Sequence, residues 1–219
     1  MKTLEQERRV QINVAPGVLL EGNLGIPEDA RGIVVFAHGS GSSRHSPRNR
    51  FVADYLRQGK IGTLLMDLLT PAEEQVDQRT MHLRFDIGLL AARLAGAAAW
   101  LNRNPDTAGR RIGYFGASTG AAAALVAAAH EPGGIAAIVS RGGRPDLAGP
   151  ALGHVSAPTL LLVGGEDRPV ITMNQEAYAR LRGEKQIIII PGATHLFEEP
   201  GALEEAARLA RDWFARWLA

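Results

Sequence analysis

Arg111-Ile-Gly-Tyr-Phe-Gly-Ala-Ser-Thr-Gly-Ala-Ala-Ala-Ala-Leu125 is the stretch on which the reading of this chain turns. A short apolar run, Ile112 to Phe115, has the character of a buried strand, and Gly116-Ala-Ser-Thr-Gly120 follows it at once. An alanine-rich segment then continues to His130 and reads as a buried helix. A strand that becomes a helix within about two residues forces backbone segments together, and only residues without bulk permit it. Gly116 and Gly120 flank Ser118 two residues away on either side, so a larger side chain at either place would collide with the neighbouring element. The predicted result is a serine held at a strained corner, its hydroxyl projecting from the sheet edge: the arrangement called a nucleophile elbow. A bare Gly-x-Ser-x-Gly is a common pattern. The strand before it and the helix after it make it specific.

Outward from this stretch, strands and helices alternate. Val10 to Val14 and Val18 to Leu24 read as two strands joined at Pro16-Gly17. Ile33 to Ala37 is a near-continuous apolar run, as in a strand covered on both faces; the loop His38-Gly-Ser-Gly-Ser-Ser43 and a helix from Asn49 to Gln58 follow. Ile61 to Met66 is the next strand, and the polar, proline-containing stretch Asp67 to Thr80 reads as a long loop. Leu83, Ile87, Leu90, Leu94, Ala97 and Leu101 recur at helical spacing and predict one long amphipathic helix ending before Pro105.

Beyond the serine strand and its helix, Ile135 to Val139 and Thr159 to Val163 read as buried strands and Ile171 to Leu181 as a helix. Gln186 to Ile190, with four consecutive isoleucines, predicts a central strand. The closing helix carries Leu203, Ala206, Ala210, Trp213 and Trp217 along one face, with Pro200 near its first turn. Together these elements predict an α/β fold, a three-layer α/β/α sandwich around a mostly parallel sheet. No repeat, linker or composition break divides the chain. Residues 1–219 are therefore expected to form one domain, with no insertion long enough for a lid.

Bulk composition narrows the function classes. The 219 residues suffice to bury a sizeable core, and 46% hydrophobic with 21% charged residues is ordinary for a globular protein. A formal net charge of +1 without basic or acidic blocks gives no signal for nucleic acid or an anionic membrane. Cysteine is absent, which removes disulfides, thiolate metal sites and a cysteine nucleophile. Met1 to Val10 is charged and lacks the apolar core of a signal peptide, and the apolar run Ala121 to Ala129 is too short to span a bilayer. A cytoplasmic location is the expectation.

In parallel α/β sheets, functional groups gather at the carboxyl ends of strands. Ser118 follows one strand, Asp167 another and His195 the last, in the chain order Ser, Asp, His of a hydrolase triad on such a scaffold. A serine hydroxyl is barely nucleophilic at neutral pH. An imidazole must take its proton as it attacks a carbonyl carbon, and a carboxylate must hold that imidazole in the right tautomer. The tetrahedral intermediate needs donors for its oxyanion. The Thr119 amide beside the nucleophile supplies one, and the Gly39-Ser40-Gly41 turn, through the Ser40 amide, is expected to supply the second.

With these motifs in place, the whole chain resembles the α/β-hydrolase superfamily, and within it the small, lid-free dienelactone-hydrolase-like esterases. The matching residues are His38-Gly39, Gly116-Ala-Ser-Thr-Gly120, Gly165-Glu-Asp167 and Gly192-Ala-Thr-His195. Val139-Ser-Arg-Gly-Gly-Arg-Pro-Asp-Leu-Ala148 resembles a subgroup that also occurs fused to phosphoribosyltransferase-like domains. The chain departs from the family at the nucleophile. Dienelactone hydrolases proper use cysteine, so dienelactone is not carried over as a substrate. The resemblance implies a carboxylesterase for small acyl esters, with no cofactor and no metal, whose partner is its small-molecule ester; a lactone or thioester hydrolase, or a catalytically idle partner domain, are the alternatives. It is compatible with a monomer or with a domain of a larger fusion.

Several assignments have rivals. For the triad acid, Glu166 is adjacent to the favoured Asp167, and Asp146 follows the preceding strand, where some hydrolases place this residue. His38 reads as a loop-shaping residue bonded to backbone, and His45, His82, His130 and His154 as surface or capping residues. Arg44, Arg141 and Arg144 sit in carboxyl-edge loops and could hold an anionic substrate group or buttress the loops through salt bridges. Leu69, Val170 and Phe197 occupy the same edge and are candidates for the acyl pocket, with Arg44 as the polar substrate contact.

Overall fold

The computed structural model describes residues 7–219. Most of the charged N-terminal stretch read above for the absence of a signal-peptide core falls in residues 1–6, outside the described residues. The chain opens with an antiparallel hairpin, β1 (Arg8–Ala15) and β2 (Val18–Gly25), whose turn places Gly17 at φ 75°. β3 (Gly32–Ala37), α1 (Pro47–Gln58), β4 (Gly62–Met66), α2 (Pro71–Thr80) and α3 (Ile87–Arg103) follow. β5 (Arg111–Ala117) leads into α4 (Thr119–His130), then come β6 (Ala137–Arg141) and a 3₁₀ segment over Pro145–His154. β7 (Thr159–Gly164), α5 (Arg168–Arg180), β8 (Lys185–Ile190) and α6 (Ala202–Trp217) complete the order.

The eight strands form one sheet in the order β1-β2-β4-β3-β5-β6-β7-β8, parallel from β4 through β8 and antiparallel where β2 meets β1 and β4. After β3 the chain pairs β4 on one side and returns to add β5 on the other. The carboxyl ends of β3 and β5 thus flank the point where strand order reverses, the place where open α/β sheets form a crevice.

Successive side chains point to opposite faces, so the sheet carries two cores. Tyr114 and Ile138 pack with Leu94, Leu101 and Ala122 under α3 and α4. Phe115 and Val139 pack with Val52, Leu56, Ala206 and Phe214 under α1 and α6. α4 is buried without interruption from Thr119 through Leu125, which accounts for its alanines: small side chains let it lie close to the sheet and to α3. Among the described residues no helix is long and apolar enough to cross a membrane.

Four expectations are corrected. Asp67 to Thr80 is not a loop throughout: Pro71–Thr80 is helical, started by a capping box in which Thr70 Oγ1 accepts from the Glu73 amide and Glu73 accepts from the Thr70 amide. This helix is largely polar and so leaves no hydrophobic stripe in the sequence. The long helix begins at Ile87, not Leu83. Leu83–Phe85 is a separate 3₁₀ turn, and the Asp86 carboxylate caps α3 by accepting from the Leu89 amide at 2.9 Å. The strand read over Ile135 to Val139 lies two residues later, at Ala137–Arg141. The isoleucine strand β8 is an edge strand, with Ile189 37% exposed. Ile187 and Ile188 face the two covered sides, so helix cover rather than strand pairing accounts for its apolar character.

Candidate active site

The corner predicted between β5 and α4 is present. Ser118 has φ 51° and ψ −122°, a region a side chain enters only under strain of roughly 1–3 kcal/mol. The neighbouring glycines are dictated by packing. A Cβ on Gly116 would lie 2.4 Å from the Ala121 Cα, and one on Gly120 would lie 2.3 Å from the Ala37 carbonyl oxygen. The Ser118 carbonyl is held from two sides, accepting from the Ala121 amide at 3.1 Å and the Arg144 amide at 3.0 Å. Thr119, the first helical residue, has an N–H with no intrahelical acceptor, at the positive end of α4.

The loops after β7 and β8 are knitted together by backbone. Gly165 and Glu166 donate to the carbonyls of Ile190 and Ala193 at 2.8 and 3.0 Å. This approach needs Gly164, where a Cβ would fall 2.4 Å from the Ala193 oxygen and 2.6 Å from that of Thr194. The result is that Asp167 Oδ2 stands 2.6 Å from His195 Nδ1. With Nδ1–H donating to the carboxylate, Nε2 is left as the acceptor. The Asp167 side chain is 13% exposed and the imidazole 40%, so the acid is sheltered while the base meets solvent. At Thr194, the residue before the histidine, Glu199 accepts from the hydroxyl and amide at 2.5 and 3.0 Å, and these bonds lower its pKa.

The rival acids lie elsewhere. Asp146 is bound in bidentate fashion by Arg144, at 2.9 and 2.8 Å, and does not cap the segment that follows it. Glu166 is exposed. Of the three carboxylates only Asp167 meets His195.

The loop after β3 lies directly beside the nucleophile: a Cβ on Gly39 would be 3.0 Å from that of Ser118. The part-buried His38 donates from Nδ1 to the Gly39 carbonyl at 3.0 Å and accepts from the Leu68 amide at Nε2 at 3.2 Å. Burial lowers its pKa, in agreement with a neutral ring holding loop to loop. The Ser40 amide, expected to be a free oxyanion donor, is engaged in this structure: it donates to Thr119 Oγ1 at 3.0 Å.

A cavity of about 270 Å³ is lined by Gly39, Ser40, Ser118, Arg141, His195 and Leu196, with the start of α1 along one side. Ser118 and His195 therefore share one opening. No hydrogen bond joins their side chains among the described residues, and such contacts commonly tighten only when substrate binds.

The four suggested substrate contacts do not gather there. Arg44 is consumed by Asp67 and Glu21 and, with Leu69 and His38, lines a separate cavity of about 220 Å³. Val170 is buried on α5, and Phe197 is 1% exposed in the core under α6. The loop signal that suggested them reports proximity to the sheet edge but not which way a side chain turns. Leu196, Arg48 and Asn49 line the cavity and escaped notice: Leu196 is a lone exposed apolar residue next to His195, and nothing in the sequence marks the other two. Among the described residues no group of three or more His, Cys, Asp or Glu side chains is placed to hold a metal ion.

The chain as a whole is similar to known proteins. A model described as the dienelactone hydrolase family matches residues 20–219. A crystal structure of a dienelactone hydrolase from Anabaena variabilis is 61% identical, with a TM-score of 0.97 over 99% of this chain and 100% of that one. A dienelactone hydrolase-like promiscuous phosphotriesterase from metagenomic libraries has a TM-score of 0.76 at 18% identity, over 98% of this chain and 99% of its own; this shows likeness of fold alone. A Mycobacterium tuberculosis protein with a provisional phosphoribosyl transferase name is 58% identical over 95% of this chain. The chain spans only 46% of that relative's length.

Proposed function

The chain belongs to the dienelactone hydrolase family, and from that premise we propose that it is a serine carboxylesterase for short acyl esters, with Ser118 as nucleophile, His195 as base and Asp167 as the orienting acid. The observation that carries this reading is the 2.6 Å contact of Asp167 with Nδ1 of His195, whose ring lines one cavity with a serine at φ 51°. The contact leaves Nε2 as the ring nitrogen able to accept a proton.

Ser118 Oγ attacks the ester carbonyl carbon as its proton passes to His195 Nε2, and the carbonyl π electrons move to oxygen. The Thr119 amide receives that oxyanion, and the Ser40 amide joins it by exchanging its Thr119 hydroxyl acceptor for the developing charge. Collapse breaks the bond to the alkoxy oxygen, which leaves as the alcohol with the proton from His195. Water, deprotonated by the same histidine, then attacks the acyl-enzyme and releases the acid with Ser118 restored. A cavity of about 270 Å³ suits small esters rather than long acyl chains.

In the longer relatives this hydrolase module occupies about half of the protein, so we assign it the same acyl chemistry inside a fusion. The test is a burst of 4-nitrophenol from short-chain 4-nitrophenyl esters, together with labelling by a serine-directed phosphonate. Ser118→Ala should lose both, with turnover down by roughly a millionfold and the fold intact. More than a few per cent residual activity in pure variant protein would overturn the assignment.

A further inference from the structure

Thr119 follows Ser118 as the first residue of α4 and is 3% exposed. Its Oγ1 accepts from the Ser40 amide at 3.0 Å, which ties the loop after β3 to the start of the helix. The hydroxyl proton has no acceptor among the described residues. A threonine within a helix donates to the carbonyl four residues back, as Thr80 does to Val76 and Thr172 to Arg168. Four residues before Thr119 stands Phe115, in β5 and paired with strands on both sides, so that outlet is closed.

Gly39, Ser40 and Ser42 line the cavity of Ser118 and His195, and they also line a smaller one of about 10 Å³ that Thr119 borders. The bond between Ser40 and Thr119 therefore lies on the boundary of the catalytic cavity. The Ser40 amide has one N–H, so an oxyanion that accepts from it must lie on the side where Thr119 Oγ1 already stands. Two oxygens on one N–H repel unless a proton lies between them. The Thr119 hydroxyl has that proton, and rotation about its C–O bond turns it toward the newcomer. A carbonyl in the same place would accept from Ser40 but have nothing to give.

We propose that Thr119 is a further catalytic residue, its hydroxyl accepting from the Ser40 amide while the oxyanion hole is empty and donating to the oxyanion once Ser118 has attacked. This rests on the catalytic reading of Ser118 given above. In the free enzyme the hydroxyl oxygen keeps the Ser40 N–H paired and aimed. In the tetrahedral intermediate the same group is a third donor beside the amides of Ser40 and Thr119. No proton is transferred: the O–H bond persists, and collapse of the intermediate returns the hydroxyl to Ser40. A hydrogen bond to a charged oxygen is stronger than one to a neutral carbonyl, so the effect falls on kcat rather than on KM.

The experiment follows 4-nitrophenyl acetate hydrolysis by wild type, Thr119→Val, Thr119→Ala and Thr119→Ser. Every variant keeps the backbone amide, and only serine keeps the hydroxyl. Valine and alanine should lower kcat by about a hundredfold with KM within about threefold, as for one lost oxyanion donor, while serine stays within about fivefold of wild type. The alanine variant carries the test if the valine variant does not fold. A short-chain trifluoromethyl ketone, whose adduct with Ser118 carries an oxyanion, should lose affinity by the same factor as kcat in both variants. The matching methyl ketone, which stays neutral, should bind all four proteins alike. Equal losses for the two ketones mean that the hydroxyl only braces the loop, and they overturn the proposal.

So does an unchanged or raised kcat in Thr119→Val and Thr119→Ala, or a serine variant as slow as the valine one. Phosphonate labelling separates the two levels. Wild type that is labelled and active, with hydroxyl-free variants equally active, refutes the Thr119 role alone. Wild type that is neither labelled nor active refutes the catalytic reading, and the Thr119 role with it.

Discussion

Asp167→Asn should cost the enzyme about ten-thousandfold in kcat/KM, while Asp146→Asn and Glu166→Gln stay within about tenfold of wild type. The contact to be broken is the 2.6 Å bond from His195 Nδ1–H to Oδ2, in a side chain only 13% exposed and so weakly screened. The amide keeps shape and volume, so the loops after β7 and β8 should stay joined through Gly165 and Glu166. Two losses follow. A charge-assisted hydrogen bond becomes at best a neutral one, worth about 1.5–3 kcal/mol. An asparagine NH₂ facing Nδ1 would also draw the proton to Nε2, the nitrogen that must accept from Ser118, and this wrong tautomer accounts for the remainder. At 1.36 kcal/mol per tenfold, the serine-protease precedent of about ten-thousandfold corresponds to roughly 5.5 kcal/mol. Asp146 is held by Arg144, Glu166 faces solvent, and neither is hydrogen-bonded to His195, so neither substitution removes a partner of the imidazole. Initial rates with 4-nitrophenyl acetate measure the effect, with circular dichroism melts to show that each variant folds. If Asp146→Asn proves to be the crippled variant while Asp167→Asn stays within tenfold, the acid has been misassigned.

Other consequences are equally direct. Gly164→Ala would place a methyl 2.4 Å from the Ala193 carbonyl, so the two loops must part. A stability loss of roughly 1–3 kcal/mol, read as a lower melting temperature, should accompany reduced turnover; a fully stable, fully active variant would contradict the backbone contact. For His38, burial lowers the folded pKa, so the unfolded chain binds the proton more readily. Its contribution is therefore complete above the ordinary histidine value of about 6.5 and is lost as pH falls from there toward the lowered folded value. Melting temperatures between pH 8 and 5 should decline less steeply in His38→Gln than in wild type, and parallel curves would assign the acid sensitivity to other groups.

The elbow was legible because everything that makes it lies within ten residues: an apolar strand, two glycines and a run of alanines. The same holds for the strand ends that carry Asp167 and His195. Helix α2 was missed because its stability comes from the cap at Thr70 and Glu73 and from polar contacts such as Arg93 to Glu73 at 2.7 Å, none of which leaves an apolar period. Phe197 looked like a pocket wall because it sits two residues after His195. At φ 58° the backbone there turns the ring into the core, an orientation that composition and spacing do not encode.

Taken alone, the sequence determined the α/β class, the strained serine and the order of three candidate catalytic residues, because each depends on steric and hydrophobic relations among neighbours in the chain. Tertiary structure decided which carboxylate meets His195, that β8 closes the sheet at its edge, that Arg44 and Arg144 are already paired, and that Arg141 meets no carboxylate among the described residues. Those outcomes follow from strand order and from distances between residues brought together across the crossovers, and electrostatic pairing depends on separation in space, whatever the separation along the chain.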